Sequence, residues 1–270
     1  MKFSKIETQG ITSLVFSLAT LPKDPADLSK TLANDETLGA DAVLFLTPTL
    51  AADVCLHSYD KRGEKCLSHE ILHALAAYLF YVAGLPVYEY EAETEEGILP
   101  VRITAGISPT FTAKYGKCKQ TATNIPFRAK NIEATVDEVR CHRTQYAILF
   151  AEHAESVDLP ALARALRTAP AFGAETVVAL SEFSDASGSA YLLRAASLRG
   201  DTVFPSAAAG AALMSLIAKG RERYGRDVTF RHEGGSLVCR MEHGGTFTVR
   251  ADARLLLRGE LTPPAPEPNE

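Results

Sequence analysis

Cys66 is the residue of this 270-residue chain whose position most favours chemistry. It precedes a long apolar segment that predicts a buried helix over residues 69–82. The positive end of a helix dipole lowers the pKa of a thiol at its N-terminus, and Lys65 and His69 would act in the same direction. We therefore expect Cys66 to be a thiolate nucleophile or base. A buried structural cysteine is the more common role for this residue type.

An internal repeat supplies a counterpart for Cys66. Residues 38–46 resemble residues 172–180, which lie 134 positions later, and residues 97–103 resemble residues 235–241, which lie 138 positions later. The matches keep their order along the chain. They indicate a duplicated half-domain rather than a solenoid, whose repeats are about 20–50 residues long.

Ser206 occupies the place that corresponds to Cys66 in the second half. It precedes an apolar run that predicts a second buried helix over residues 207–219. We expect Ser206 to stand where a second proton-transfer group would be. A serine before an alanine-rich helix is also a common N-cap, and a capping side chain lies at the helix mouth, so both roles can hold.

The repeat predicts an α+β fold with two pseudo-symmetric half-domains, residues 1–125 and 126–262, each a sheet wrapped around a central helix. A cleft is expected between them, and the Pro-rich, acidic residues 263–270 are predicted to be a disordered tail. The predicted helices span residues 25–34, 69–82, 159–168 and 207–219. The predicted strands include residues 42–46, 87–92, 99–103, 146–150, 176–180, 228–232 and 237–241.

Residues 69–73, His-Glu-Ile-Leu-His, match a zinc-binding pattern in which two histidines share one helix face. A catalytic zinc needs a third protein ligand, and none follows at the usual spacing, so we expect no metal. In the plainer interpretation, His69 and Glu70 serve the helix start and His73 faces a neighbouring strand. A third interpretation gathers His57, His69 and His73 around a metal ion.

The composition is that of an ordinary globular protein, with 46% hydrophobic and 23% charged residues. No apolar run reaches the roughly 18 residues of a membrane span, and the charged start lacks the apolar core of a signal peptide. We therefore expect a cytoplasmic protein. The net charge is −5 and the basic residues are scattered, so neither nucleic acid nor a membrane surface is an expected partner.

Five cysteines are present, without any C-x-x-C spacing. An odd number in a chain of this kind disfavours both a disulfide framework and structural zinc. Cys66 aside, we expect small buried hydrophobic cysteines at Cys55, Cys118, Cys141 and Cys239.

With these features, the sequence resembles the diaminopimelate epimerase family and the related phenazine-type isomerases and proline racemases. The resemblance extends from Met1 to about Leu261. It rests on the opening Met-Lys-Phe-Ser-Lys, the Leu-Gly-Ala-Asp run at residues 38–41, Cys66 at the family's Cys-Gly-Asn-Gly position, and the closing run at residues 253–261. It implies a duplicated fold and chemistry without pyridoxal phosphate or another cofactor, in which two cysteines on opposite faces of a Cα atom remove and return a proton.

The sequence departs from the family pattern at most ligand positions. Ser206 replaces the second cysteine, and His57 and Glu175 replace asparagines. The Asn-Pro-His site begins here with Thr144, and the Glu-Arg pair before the second helix is Ala-Ser at residues 196–197. Diaminopimelate is therefore not the expected substrate.

The resemblance implies a cofactor-independent isomerase that abstracts a proton next to the carboxylate of a small amino acid-like substrate, as a racemase, an epimerase or a one-base isomerase. The alternatives are a one-base dehydratase of a hydroxy amino acid and a catalytically inactive binding protein on the same fold. The sequence leaves a homodimer open. The predicted catalytic residues are Cys66, Ser206 and Glu175, and the predicted substrate-binding residues are His57, Ser68, His69, Thr144 and Ala207.

The expected ligand follows from the replaced side chains. The helix N-termini would hold one carboxylate. Because His57, Thr144 and Glu175 stand in place of neutral amides, and a buried ionisable group needs a partner, we expect the ligand to carry a cationic or hydrogen-bond-donating group. A second carboxylate held by an arginine is not expected.

Overall fold

The computed structural model describes residues 1–129, 132–167, 173–185, 188–199 and 202–261. The predicted tail, residues 263–270, lies outside these ranges. The α-helices are α1 (Pro25–Ala33), α2 (His69–Tyr81), α3 (Leu159–Arg167) and α4 (Pro205–Ala218). The strands are β1 (Lys2–Thr8), β2 (Ile11–Ser17), β3 (Ala42–Thr47), β4 (Val54–Asp60), β5 (Glu89–Thr94), β6 (Gly97–Thr104), β7 (Thr110–Ala129), β8 (Ile132–Cys141), β9 (Thr144–Phe150), β10 (Thr176–Asp185), β11 (Gly188–Ser197), β12 (Asp227–His232), β13 (Gly235–Met241), β14 (Thr246–Ala251) and β15 (Arg254–Glu260).

One continuous sheet of 15 strands runs through the described residues, in the order β14-β13-β12-β11-β10-β9-β8-β7-β6-β5-β4-β3-β2-β1-β15. Strand β14 also pairs with β7, so β7 to β14 close into a ring. Helix α4 packs inside this ring, while α2 packs against β1, β2, β3, β6, β7 and β15. The predicted α+β fold, with sheets wrapped around two central helices, is confirmed.

The predicted duplication is visible in the strand pairing. The series β2–α1–β3–β4–α2–β5–β6 recurs as β9–α3–β10–β11–α4–β12–β13. In both series the first two strands pair in parallel, the next pair is antiparallel, the following one parallel and the last antiparallel. The division after residue 125 falls inside strand β7, and β15 returns to pair with β1. The half-domain boundary therefore stays a prediction.

Most side chains of the two central helices are apolar, which explains their burial. In α2, Ile71, Leu72 and Leu75 are fully buried, as are Ala74 and Ala76. In α4, alanines and Gly210 let the strands come close, since a Cβ atom at Gly210 would lie 2.6 Å from the Phe247 ring. Within the described ranges, no helix combines the length and apolarity that crossing a membrane requires.

Helix α4 begins at Pro205, two residues before its predicted start. Proline suits the first helical position, because the amide hydrogen that it lacks would have no acceptor within the helix. The N-cap is Phe204, whose side chain makes no capping bond. The alternative interpretation of Ser206 as an N-cap is therefore wrong.

Cys118 and Cys141 form a disulfide, which corrects the expectation that both are separate buried thiols. They face each other directly across the antiparallel strands β7 and β8. Their separation of 23 residues carries no motif; the cross-strand register brings them together. Cys55, Cys66 and Cys239 are free, and Cys239 is buried as expected.

This pairing predicts the number of reactive thiols. The unfolded, unreduced protein should expose the 3 free cysteines, and prior reduction should raise the count to the 5 cysteines of the sequence. A chromogenic thiol assay in denaturant measures both values. Cys239→Ala, as a control, should lower each count by one, and an unreduced count that already equals the cysteine content would contradict the disulfide.

Candidate active-site cleft

The starts of the two central helices lie next to each other. Ser68 is the N-cap of α2, and its Oγ accepts the N–H of Ile71 at 3.3 Å. At the start of α4, the backbone N–H of Ser206 donates to Oε1 of Glu70 at 2.7 Å. Glu70 is the second residue of α2, so its carboxylate joins one helix start to the other.

A cleft with two chambers opens beside these helix starts. The chamber that borders both helix starts, called the inner chamber, has a volume of about 540 Å³. The chamber beside β4, called the outer chamber, has a volume of about 200 Å³. The residues that line both chambers are Lys65, Cys66, Leu67, Glu96 and Arg143. The inner chamber is further lined by Ser68, His69, Tyr115, Cys141, His142, Thr144, Tyr146, Phe204, Ala207 and Phe247. The outer chamber adds Leu56, His57, Ser58, Tyr59, Thr94 and Glu95.

The cleft brings together most of the residues predicted for the site. The predicted residues that line the inner chamber are Cys66, Ser68, His69, Thr144 and Ala207. His57 lies in the outer chamber.

Two predicted catalytic residues stand apart from both chambers. Ser206 is fully buried and lines neither of them. Glu175 is half-buried beside β10, where its N–H donates to the carbonyl of Gln145 at 2.7 Å. Burial raises the pKa of the Tyr146 phenol, which lines the inner chamber, and the carboxylates of Glu70 and Glu175 add to the rise.

The thiol of Cys66 is protonated in the free protein. Burial raises its pKa to about 12, and the nearby Asp60 carboxylate adds to the rise. Lys65, which was expected to lower this pKa, instead forms an exposed ion pair with Glu95. The prediction of a thiolate is therefore wrong, because loss of hydration outweighs the effect of the helix start.

His69 is a neutral imidazole at the inner end of the cleft. Its ring packs against Phe247 and Tyr115, with centroids 4.6 Å and 5.7 Å away. Burial lowers its pKa well below the ordinary value, and His73 contributes in the same direction. Nε2 of His69 has no hydrogen-bond partner within the part of the chain that the structure describes. The His69 ring lines the inner chamber, while Nε2 itself is buried.

His73 points away from the cleft, towards strand β14, as the plainer interpretation of the motif predicted. Its Nε2 donates to the carbonyl of Val249 at 3.0 Å, and burial lowers its pKa to about 4. His57 instead contacts Cys55, with its Nε2 3.3 Å from the sulfur. Among the described residues, no group of three or more His, Cys, Asp or Glu side chains could hold a metal ion.

Sequence reasoning missed three residues that line the inner chamber. His142 and Arg143 form the turn between β8 and β9, and Tyr115 lies on β7. His142 has a left-handed backbone with φ of 54°, and its ring stacks on Tyr115 with centroids 4.3 Å apart. Burial lowers the pKa of His142. The polar run before the predicted strand at residues 146–150 was the available signal, but only the strand pairing places it opposite Cys66.

Gly116 makes room for the His142 ring. Its φ is +87°, and a Cβ atom there would overlap Nε2 of His142. Gly225 has a similar φ of +74° with no atom near its Cβ position. A comparison of alanine substitutions at Gly116 and Gly225 therefore distinguishes the cost of steric overlap from the cost of backbone strain.

Gly116→Ala should destabilise the protein by about 1–3 kcal/mol more than Gly225→Ala, because both carry the strain of positive φ while only the former meets a packed ring. Urea unfolding of the two variants and the wild type measures the difference. Equal losses in the two variants would show that His142 is not held against Gly116.

The raised pKa of Cys66 predicts its alkylation profile. The rate with iodoacetamide should rise about tenfold per pH unit up to about pH 10 without a plateau, since only the thiolate reacts. Peptide mass spectrometry follows Cys66 separately from the other thiols, and the unfolded protein is the control, with a plateau near an ordinary thiol pKa. A plateau below about pH 8 in the folded protein would reveal a stabilised thiolate.

No protein-family model and no curated protein sequence matches the chain. Solved structures do match it along nearly its whole length. A probable proline racemase from Agrobacterium radiobacter, with bound carbonate, has a TM-score of 0.70 and 14% identity over 97% of this chain and 92% of its own. A hydroxyproline epimerase from Agrobacterium vitis, with bound trans-4-hydroxy-L-proline, has a TM-score of 0.70 and 15% identity over 96% and 91%.

A phenazine biosynthesis protein of the PhzF family from Bacillus anthracis is also similar, with a TM-score of 0.75 and 11% identity over 97% of this chain and 99% of its own. The chain therefore has the fold that these racemases, epimerases and PhzF proteins share, as its resemblance to this superfamily implied. At such low identity, it is a divergent example of the fold.

Proposed function

We propose that the protein is an isomerase of the racemase and epimerase type, independent of pyridoxal phosphate, which moves a proton on the carbon next to the carboxylate of a small amino acid-like substrate. The observation that carries this proposal is the cleft beside the two helix starts, lined by the Cys66 thiol and the His69 imidazole. Its inner chamber of about 540 Å³ suits a small molecule. The likeness to a proline racemase and a hydroxyproline epimerase supports the same reaction class.

The charge states of the two groups assign their roles. A protonated Cys66 thiol is a proton donor, and a neutral His69 imidazole with an unpartnered Nε2 is a proton acceptor. A positioned acid or base of this kind contributes about 10²- to 10⁴-fold to a rate. Arg143 lines both chambers and can hold the substrate carboxylate by a charge-assisted hydrogen bond.

The cleft favours chemistry on one face of the substrate. Ser206 and Glu175 line neither chamber, so the two groups that we propose for proton transfer, Cys66 and His69, both come from the start of α2. A double-bond isomerisation, or the loss of water from a hydroxy amino acid, needs proton transfer on one face only. Diaminopimelate is not the proposed substrate.

Solvent-deuterium exchange tests the proposal. At least one compound among the enantiomers of proline, hydroxyproline, threonine and diaminopimelate should gain deuterium at the α carbon in D₂O. Cys66→Ala should slow this exchange by about 10²- to 10⁴-fold. Ser206→Ala should stay close to the wild-type rate because the hydroxyl is sealed from the cleft.

Cys55→Ala is the matched control, since it removes a free thiol that lines neither chamber. It should leave exchange unchanged. Exchange that survives in Cys66→Ala would exclude Cys66 from proton transfer. Release of ammonia and 2-oxobutanoate from threonine would identify the dehydratase alternative, since the enamine left by the loss of water hydrolyses to these products.

A binding protein without turnover is the second candidate, favoured by the protonated thiol and the sealed Ser206 hydroxyl. In that case, members of the same panel should raise the melting temperature without exchanging a proton. Exchange with any member contradicts this second candidate.

A further inference from the structure

Glu70 places a carboxylate in the interior, between the starts of α2 and α4. The side chain is fully buried. Oε1 accepts the N–H of Ser206 at 2.7 Å, whereas Oε2 of Glu70 and Oγ of Ser206 have no partner within the described ranges. The hydroxyl and N–H of Ser206, the N–H of Glu70 itself and the hydroxyl of Ser68 all lie near the carboxylate and favour its charged form.

Burial of a charged carboxylate at this position costs free energy, because the carboxylate loses its hydration. Burial raises the pKa of Glu70, although the hydroxyls and amides around it oppose the rise. No Lys or Arg in the part of the chain that the structure describes forms an ion pair with it. Backbone amides and the positive ends of two helix dipoles stabilise an anion at this site.

The adjacent starts of α2 and α4 form an anion site, which was expected from the sequence to hold the ligand's carboxylate. Here the chain itself supplies the anion. We propose that the Glu70 carboxylate occupies this site from within, so that the starts of α2 and α4 are closed to a ligand's carboxylate, which binds elsewhere in the cleft. The Ser206 hydroxyl is buried next to the Glu70 side chain and takes no part in proton transfer.

The inference predicts that removal of Glu70 opens an anion site. Glu70→Ala should melt at a lower temperature than the wild type, because the Ser206 amide loses its acceptor. Sodium formate, the smallest carboxylate, should then raise the melting temperature by about 3 °C or more relative to equal sodium chloride. The wild type should show no such difference between formate and chloride.

Glu70→Gln is the matched control, because its amide oxygen can still accept the Ser206 N–H and fill the same space. It should resemble the wild type in its lack of response to formate. A formate response in the wild type as large as in Glu70→Ala would overturn the proposal, as would a folded Glu70→Ala that formate does not stabilise. Neither result depends on turnover, so a protein without exchange activity leaves this inference untouched.

A second measurement serves if Glu70→Ala does not fold. A buried acid with a raised pKa loses stability as pH rises above the unfolded value of about 4.3, since the folded state must release a proton that it holds more tightly. The melting temperature of Glu70→Gln minus that of the wild type should therefore increase from about pH 4 to pH 7. A constant difference would place the carboxylate in water and overturn the proposal.

The groups around Glu70 do not obscure this comparison. Tyr146 on β9 has a raised pKa and stays protonated over this range. His69 and His73, on the same helix, have lowered pKa values and titrate in both proteins. Ser206 on α4 and Thr8 on β1, which bonds the Glu70 carbonyl at 3.1 Å, do not titrate.

Discussion

The bond between the Glu70 carboxylate and the Ser206 amide is the contact on which the arrangement of the cleft depends. Two apolar helices are buried against one continuous sheet, and their starts lie next to each other. The first amides of a helix have no acceptor within it, and leaving them unpaired in the interior costs several kcal/mol. Glu70 supplies an acceptor for α4 from α2, and this fixes which residues of each helix start reach the cleft.

The fold could be predicted from the sequence because the patterns that indicate it are spread along the whole chain. The matches between residues 38–46 and 172–180 recur as β3 and β10, each paired in parallel with the strand before the preceding helix. The apolar composition of α2 and α4 left burial as their only stable environment. The disulfide between Cys118 and Cys141 could not be predicted in the same way, since it depends on the register of two strands and on no local pattern.

The site could be predicted in position more readily than in chemistry. Ser68 and His69, predicted from the helix start after Cys66, and Ala207, predicted from the repeat, line the inner chamber, and their substrate-binding roles stay predictions. The repeat cannot show side-chain direction, and one position along α4 separates Ala207, which lines the chamber, from Ser206, which does not. His142 and Arg143 were missed because a turn between two strands acquires its neighbours only through tertiary pairing.

Burial sets the charge state of the cleft. It raises the pKa of the Cys66 thiol and lowers that of the His69 imidazole, so the neutral form is favoured at both. A ligand carboxylate in the cleft would bring a negative charge close to both groups. That charge makes a thiolate still less favourable and an imidazolium more favourable. In the reaction that we propose, an acidic ligand would therefore favour His69 over Cys66 as the base and Cys66 as the proton donor, an asymmetry that the duplicated fold alone would not suggest.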